Sequence, residues 1–78
     1  PDPTDDFGAT LRTTREAAGR SLRDVADVTK LAVRTLEALE RNQIERLPTG
    51  IFRRAIVRSY AKEIGLDPEA TLKAFLVR

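Results

Sequence analysis

The side chains that could carry chemistry in this chain are arginines and carboxylates, because cysteine and histidine are both absent. Their absence excludes disulfides, cysteine or histidine metal sites, thiol nucleophiles and imidazole bases. The acidic residues are spread along the chain, in places typical of helix capping and surface charge. We find no catalytic constellation and expect no enzyme activity, metal, cofactor or small-molecule substrate. Binding through basic side chains is the chemistry that remains.

The basic residues form two groups whose spacing suits binding. The first group lies around a predicted helical turn and on the helix after it. Arg34 and Arg41, with Ala38 on the same face, are expected to face DNA bases or backbone, and Arg23 and Lys30 beside the turn are expected to hold phosphates. The second lies at four-residue intervals on a later predicted helix: Arg54, Arg58 and Lys62. The alternative for the first group is an ordinary solvated face, with Glu37 as an intrahelical partner of Arg34 and Arg41. For the second group it is ordinary solubility, with Glu or Asp side chains as partners. The net charge of only +2 permits nucleic-acid binding without requiring it.

Helices must position these side chains, because nowhere do β-branched residues alternate with polar residues as a strand requires. Apolar residues recur instead at intervals of three to four residues, which is the helical period. The pattern predicts five helices, near residues 5–18, 22–28, 32–41, 49–64 and 68–76. The predicted fold class is therefore all-α, a compact five-helix bundle.

The predicted helix ends carry residues suited to ending or capping a helix. Residues in a left-handed conformation are expected to end three helices: Gly19, Asn42 and Gly65. Short polar side chains are expected to cap the helix starts: Asp5 with Asp6, Ser21, Thr49 and Asp67. Two apolar side chains are expected to hold the loop before the fourth helix: Ile44 and Leu47.

The chain has 78 residues, enough for one small domain. We expect residues 1–4 to be a disordered leader and residues 5–78 to form that domain. Methionine is absent and the last residues still show a helical pattern, so we expect the domain to be part of a longer protein. Neither a signal peptide nor a run of about 18 apolar residues occurs. We expect a cytoplasmic location, either free or as the cytoplasmic part of a membrane-anchored protein.

The second and third predicted helices are joined by a turn of three to four residues, which is the helix-turn-helix geometry. Two stretches resemble the Cro/repressor, or Xre-like, helix-turn-helix superfamily: Leu11-Arg12-x-x-Arg15-Glu16-x-x-Gly19-x-Ser21-Leu22-x-x-Val25-Ala26 and Leu36-Glu37-Ala38-Leu39-Glu40-Arg41-Asn42. Three further stretches are similar to the RodZ-type branch: Leu47-Pro48-Thr49-Gly50-Ile51-Phe52, Arg58-Ser59-Tyr60-Ala61 and Gly65-Leu66-Asp67-Pro68. The resemblance covers about residues 7 to 76.

The resemblance implies a bacterial five-helix cytoplasmic domain and leaves two main functions open. The one we favour from the sequence is the DNA-binding domain of a transcriptional regulator, with the third helix as recognition helix in duplex DNA. The alternative is a scaffold module of RodZ type, which binds the bacterial actin MreB through the fourth helix. A self-associating adaptor is a third option, and regions outside the chain could supply a homodimer contact.

In the scaffold alternative, the partner-binding aromatic pair of the branch maps onto Phe52 and Ile56, with Arg54 and Arg58 beside them. The branch usually has an aromatic residue where Ile56 stands, so one aromatic residue remains. Two outcomes are open, because these large side chains could equally serve the core of a small domain. An exposed Phe52 would support the alternative, and a buried Phe52 would remove it.

One structural contact is also expected. Similar repressor domains pair an arginine and a glutamate at the places of Arg15 and Glu40. A carboxylate on the inward side of the third helix needs a charged partner, and an arginine fork is well suited to that task. We therefore predict that Arg15 contacts Glu40 directly and ties the first helix to the third.

Overall fold

Five α-helices and one short 3-10 helix make up residues 7–77, the part of the chain that the computed structural model describes. The α-helices are Phe7–Ala17 (α1), Leu22–Thr29 (α2), Val33–Glu40 (α3), Ile51–Glu63 (α4) and Pro68–Val77 (α5), and the 3-10 helix is Ile44–Arg46. No strand occurs among these residues. The all-α fold class and the five helices are confirmed. The expected leader at 1–4, the caps at Asp5 and Asp6 and the side chain of Ile44 lie outside the described part.

The helix ends follow local chemistry. Gly19, Asn42 and Gly65 adopt left-handed backbone angles, as predicted, with φ values of 71°, 59° and 89°. The hydroxyl of Ser21 accepts the backbone N–H of Asp24 at 3.0 Å, and the Asp24 carboxylate accepts the backbone N–H of Ser21 at 3.0 Å. These hydrogen bonds to Ser21 lower the pKa of Asp24. The result is a reciprocal capping box that fixes the start of α2.

The start of α4 differs from the prediction. Gly50, not Thr49, is the N-cap, and no side chain caps this helix. Gly50 has φ 70° and ψ −139°, a conformation that favours glycine, so the chain turns there and the helix begins one residue later. The guanidinium of Arg53 instead holds the incoming loop, because it donates to the carbonyl oxygens of Leu47 and Pro48 at 3.2 and 3.1 Å.

The core is enclosed by all five helices, and α2 links α3 to α4 because it packs on both. α1 and α2 pack on α3, while α2 and α5 pack on α4. The largest side chains with under 2% exposure come from four of the helices: Leu11, Val25, Leu36, Leu39, Val57 and Tyr60. Leu47 is buried and holds the loop between α3 and α4, as predicted. This arrangement fixes the outer faces of α3 and α4, on which the candidate binding residues lie.

α1 rests directly on the end of α3. The backbone N–H of Gly8 donates to Oδ1 of Asn42 at 2.9 Å. A Cβ atom added at Gly8 would lie 2.2 Å from the carbonyl oxygen of Glu40, so the two backbones approach more closely than any other residue type allows. This contact sets the position of α3 relative to α1.

Candidate functional site

A buried ion pair joins α1 to α3. Nε of Arg15 donates to Oε2 of Glu40 at 2.8 Å, and Nη2 donates to Oε1 at 3.3 Å. The remaining nitrogen, Nη1, donates to the carbonyl oxygen of Arg20 at 2.8 Å. The hydroxyl of Tyr60 donates to the same Glu40 carboxylate, which brings α4 into the network. The structure thus contains the Arg15–Glu40 contact that the sequence predicts.

The electrostatics of this network indicate a structural role. The hydrogen bond from Arg15 to Glu40 raises the pKa of Arg15 and keeps it charged, although burial opposes this. Burial raises the pKa of Tyr60, and its hydrogen bond to Glu40 adds to the effect, so the hydroxyl stays protonated. In the described part, no buried side-chain nitrogen or oxygen lacks a hydrogen-bond partner. Each polar group of the network therefore has a hydrogen-bond partner, and the network fixes the positions of α1, α3 and α4 relative to one another.

The outer face of α3 offers less to DNA than the sequence indicates. Arg34 is exposed, but Nη2 of Arg41 lies 3.7 Å from the Glu37 carboxylate, with both side chains largely in solvent. The prediction that Ala38 contacts DNA is wrong, because Ala38 is 3% exposed. α1, α2 and the 3-10 helix all pack on α3, so they cover more of its circumference than the Leu36–Leu39 spacing predicts.

The remaining cations of the first group lie around the turn between α2 and α3. Arg23 is exposed on α2, and Lys30 is exposed at its C-cap in a left-handed conformation with φ 64°. Together with Arg34, they form no salt bridge with any acid in residues 7–77. Three cations without an acidic partner therefore surround the helix-turn-helix turn.

The start of α4 exposes a pair of large apolar side chains. Ile51 is 76% exposed and Phe52 is 70% exposed. The expectation that Ile56 belongs to this surface is wrong, because Ile56 is 5% exposed and lies in the core. It sits one helical turn after Phe52, where α4 is covered by its neighbours, whereas the first turn projects beyond them. Ile51 and Phe52, which we call the α4 patch, therefore take the place of the expected pair.

The two arginines expected beside Phe52 differ in their surroundings. Arg54 is exposed and makes no ion pair with a described acid. Nε of Arg58 donates to Oε2 of Glu69 at 2.9 Å, which joins α4 to α5. Arg54 is therefore the more available cation beside the α4 patch.

Sequence reasoning missed two features of these surfaces. Ile51 was not singled out, although it is out of phase with the inward positions of α4 and follows a glycine. Arg46 was also missed. The 3-10 helix brings it beside α3, where it lines an open recess with Arg34 and Thr35. No spacing rule joins a loop arginine to a helix, so the sequence holds no signal for this recess.

Comparison with known proteins places the chain in context. The model of the helix-turn-helix domain family matches residues 10–71. The cytoskeleton protein RodZ of Streptococcus pneumoniae is 31% identical to the chain over 69 residues, which are 88% of this chain and 25% of that relative. The chain thus spans about a quarter of the length of this curated relative. No solved structure matches the chain. No described helix is long and apolar enough to cross a membrane.

Proposed function

Because this chain belongs to the helix-turn-helix domain family, and within it to the RodZ-like branch, we propose that it is a protein-docking module of a bacterial cytoskeletal scaffold. It binds its partner through the α4 patch. The observation that carries this proposal is the 70% exposure of Phe52 beside the 76% exposure of Ile51. Two adjacent large apolar side chains on the surface of so small a domain favour an interaction site.

The α4 patch has the composition of an interface centre. Aromatic side chains supply large contact area and arginines are frequent beside them, so Phe52 and Arg54 form a suitable anchor and rim. The resemblance to the RodZ-type branch implies the bacterial actin MreB as the partner, because Phe52 stands at one of that branch's partner-binding positions. Ile51 supplies the second apolar side chain that the buried Ile56 does not.

The outer face of α3 supports this choice by its composition. Glu37 lies at its centre, and its carboxylate repels phosphate. The same carboxylate lies 3.7 Å from Nη2 of Arg41 and forms an ion pair with it, so Arg41 is less available to DNA. Neither asparagine nor glutamine, the side chains that read adenine, occurs between Val33 and Glu40.

The test measures, by fluorescence anisotropy, how tightly the chain and its variants bind purified MreB. Phe52→Ala is expected to weaken binding at least tenfold, because a central aromatic anchor contributes about 2 kcal/mol or more. Its thermal unfolding should change little, since exposed substitutions shift stability by about 0.5 kcal/mol at most. Val28→Ala is the matched control, because Val28 is 57% exposed on α2 and lies outside the patch. Equal binding by Phe52→Ala and the parent chain would contradict the proposal.

A second candidate function is DNA binding, which is favoured by the three cations around the turn: Arg23, Lys30 and Arg34. If each contacts a backbone phosphate of random duplex DNA, the slope of log affinity against log salt should be about −2.7. Arg34→Gln should then reduce the slope by about 0.9, while Arg54→Gln on α4 leaves it unchanged. A chain that does not bind duplex DNA at low salt would exclude this candidate for the isolated domain.

A further inference from the structure

We propose that the recess between α3 and the 3-10 helix is a binding site for a phosphate group. The recess has a volume of about 210 Å³ and is partly open to solvent, and the described residues that line it are Arg34, Thr35 and Arg46. Arg34 lies in the first turn of α3, and Arg46 ends the 3-10 helix. Two arginines from separate elements therefore line one concave surface.

The charge balance of the recess favours an anion. Neither Arg34 nor Arg46 forms a salt bridge with an acid in the described part of the chain. Glu37, the acid nearest to Arg34 in the helix, is 3.7 Å from Arg41 and is thus already engaged. Two cations at one recess repel each other, and an anion that both contact reverses that repulsion.

The donor set selects phosphate among anions. An arginine fork matches the oxygens of a phosphate group, and two forks can contact different oxygens of the same group. Thr35, whose hydroxyl is a neutral hydrogen-bond donor, also lines the recess. The volume of about 210 Å³ is several times that of a water molecule, which is enough space for a group of the size of phosphate.

This chemistry has two sources, free phosphate and the backbone of duplex DNA, and it does not depend on the α4 patch. The recess shares Arg34 with the cations around the α2–α3 turn and differs from them in Arg46, which comes from the 3-10 helix after α3. A variant that loses the phosphate site should bind MreB as tightly as the parent chain does. Failure at the recess is therefore distinguishable from failure of the docking function.

The first arm of the test is a ¹H–¹⁵N NMR titration of the chain with sodium phosphate, at an ionic strength held constant with sodium chloride. We expect saturable shifts confined to residues 33–36 and 44–47. Arg34→Gln and Arg46→Gln should each weaken the affinity about three- to tenfold, the range for losing one exposed charge-assisted contact. Arg54→Gln, which removes an exposed arginine on α4, is the matched control and should leave the affinity unchanged.

Shifts that do not saturate, or that spread over all arginine-bearing segments, would overturn the proposal. Equal weakening by Arg54→Gln would also overturn it, because the effect would then be one of net charge. Circular dichroism melting of each variant establishes that it is folded. The second arm is the salt dependence of duplex DNA binding. A decrease of the slope by about 0.9 in Arg46→Gln identifies the DNA backbone as the source, and an unchanged slope identifies free phosphate.

Discussion

Removal of the Glu40 carboxylate is the sharpest test of how this domain is held together. In Glu40→Ala, the guanidinium of Arg15 would keep only its hydrogen bond to the carbonyl of Arg20, and the hydroxyl of Tyr60 would lose its acceptor. The side chain of Arg15 is only 11% exposed, so water would compensate little. Breaking a buried pair from one side costs about 3–5 kcal/mol.

That cost is large for this chain. At about 0.05–0.15 kcal/mol per residue, 78 residues give a total stability of about 4–12 kcal/mol. Arg15→Met should be destabilising to a similar degree, because it leaves the Glu40 carboxylate buried with only Tyr60 as a donor. The double variant Arg15→Met with Glu40→Ala removes both charges. It should cost clearly less than the sum of the two single changes.

Urea unfolding followed by far-UV circular dichroism measures each free energy, with the midpoint compared at constant slope. The informative quantity is the coupling energy of the cycle, which we expect to exceed about 2 kcal/mol. Glu16→Ala is the control, since its carboxylate is 63% exposed and lies 3.9 Å from the same guanidinium. Single variants that each cost under about 1 kcal/mol, or a double variant that costs their full sum, would refute the assigned role.

Two further predictions follow from the same region. Gly8→Ala should destabilise the domain by about 1–3 kcal/mol, although alanine normally stabilises a helix, because its Cβ would lie 2.2 Å from the Glu40 carbonyl oxygen; a stabilised variant in urea unfolding would contradict this. The raised pKa of Tyr60 predicts that stability is unaffected below its unfolded value of 10.0 and falls as the pH rises above it, because only the unfolded chain then loses the proton. Tyr60→Phe should remove most of that alkaline loss, and an unchanged pH profile would show that Tyr60 does not cause it.

Much of the fold could be predicted because its signals are local. The left-handed stops at Gly19, Asn42 and Gly65 and the capping box at Ser21 depend on residues close together in the sequence, and all four are present. The Arg15–Glu40 pair spans 25 positions, which no local rule covers. It was predictable from the family resemblance, together with the need of a buried carboxylate for a partner.

The errors at Ala38 and Ile56 share a physical cause, since both concern how far neighbouring elements cover a helix. Periodicity places Ala38 outside because it finds the centre of the buried stripe but not its width, and three elements pack on α3. Periodicity also places Ile56 on the same exposed surface as Phe52, four residues earlier. In the structure Phe52 is exposed and Ile56 is buried, so the neighbouring elements cover α4 at Ile56 but not at Phe52. Arg46 depends on the path of a loop, which the hydrophobic pattern does not determine.

The difference between core residues and surface residues also explains why membership of the helix-turn-helix family leaves the function open. Many of the residues that carry the family resemblance are core residues: Leu11, Arg15, Val25, Ala26, Leu36, Ala38, Leu39 and Glu40. These core residues determine how α2 and α3 pack together, whatever the outer faces of the two helices bind. Function depends on residues that the core does not constrain, and at those positions this chain has a carboxylate at the centre of α3 and a 70% exposed Phe52 on α4. An outer face with that carboxylate at its centre is poorly suited to the major groove of DNA, whereas the α4 patch loses solvent contact only when a partner covers it. The comparison of the outer face of α3 with the α4 patch, more than the family fold, is why we favour protein docking as the function.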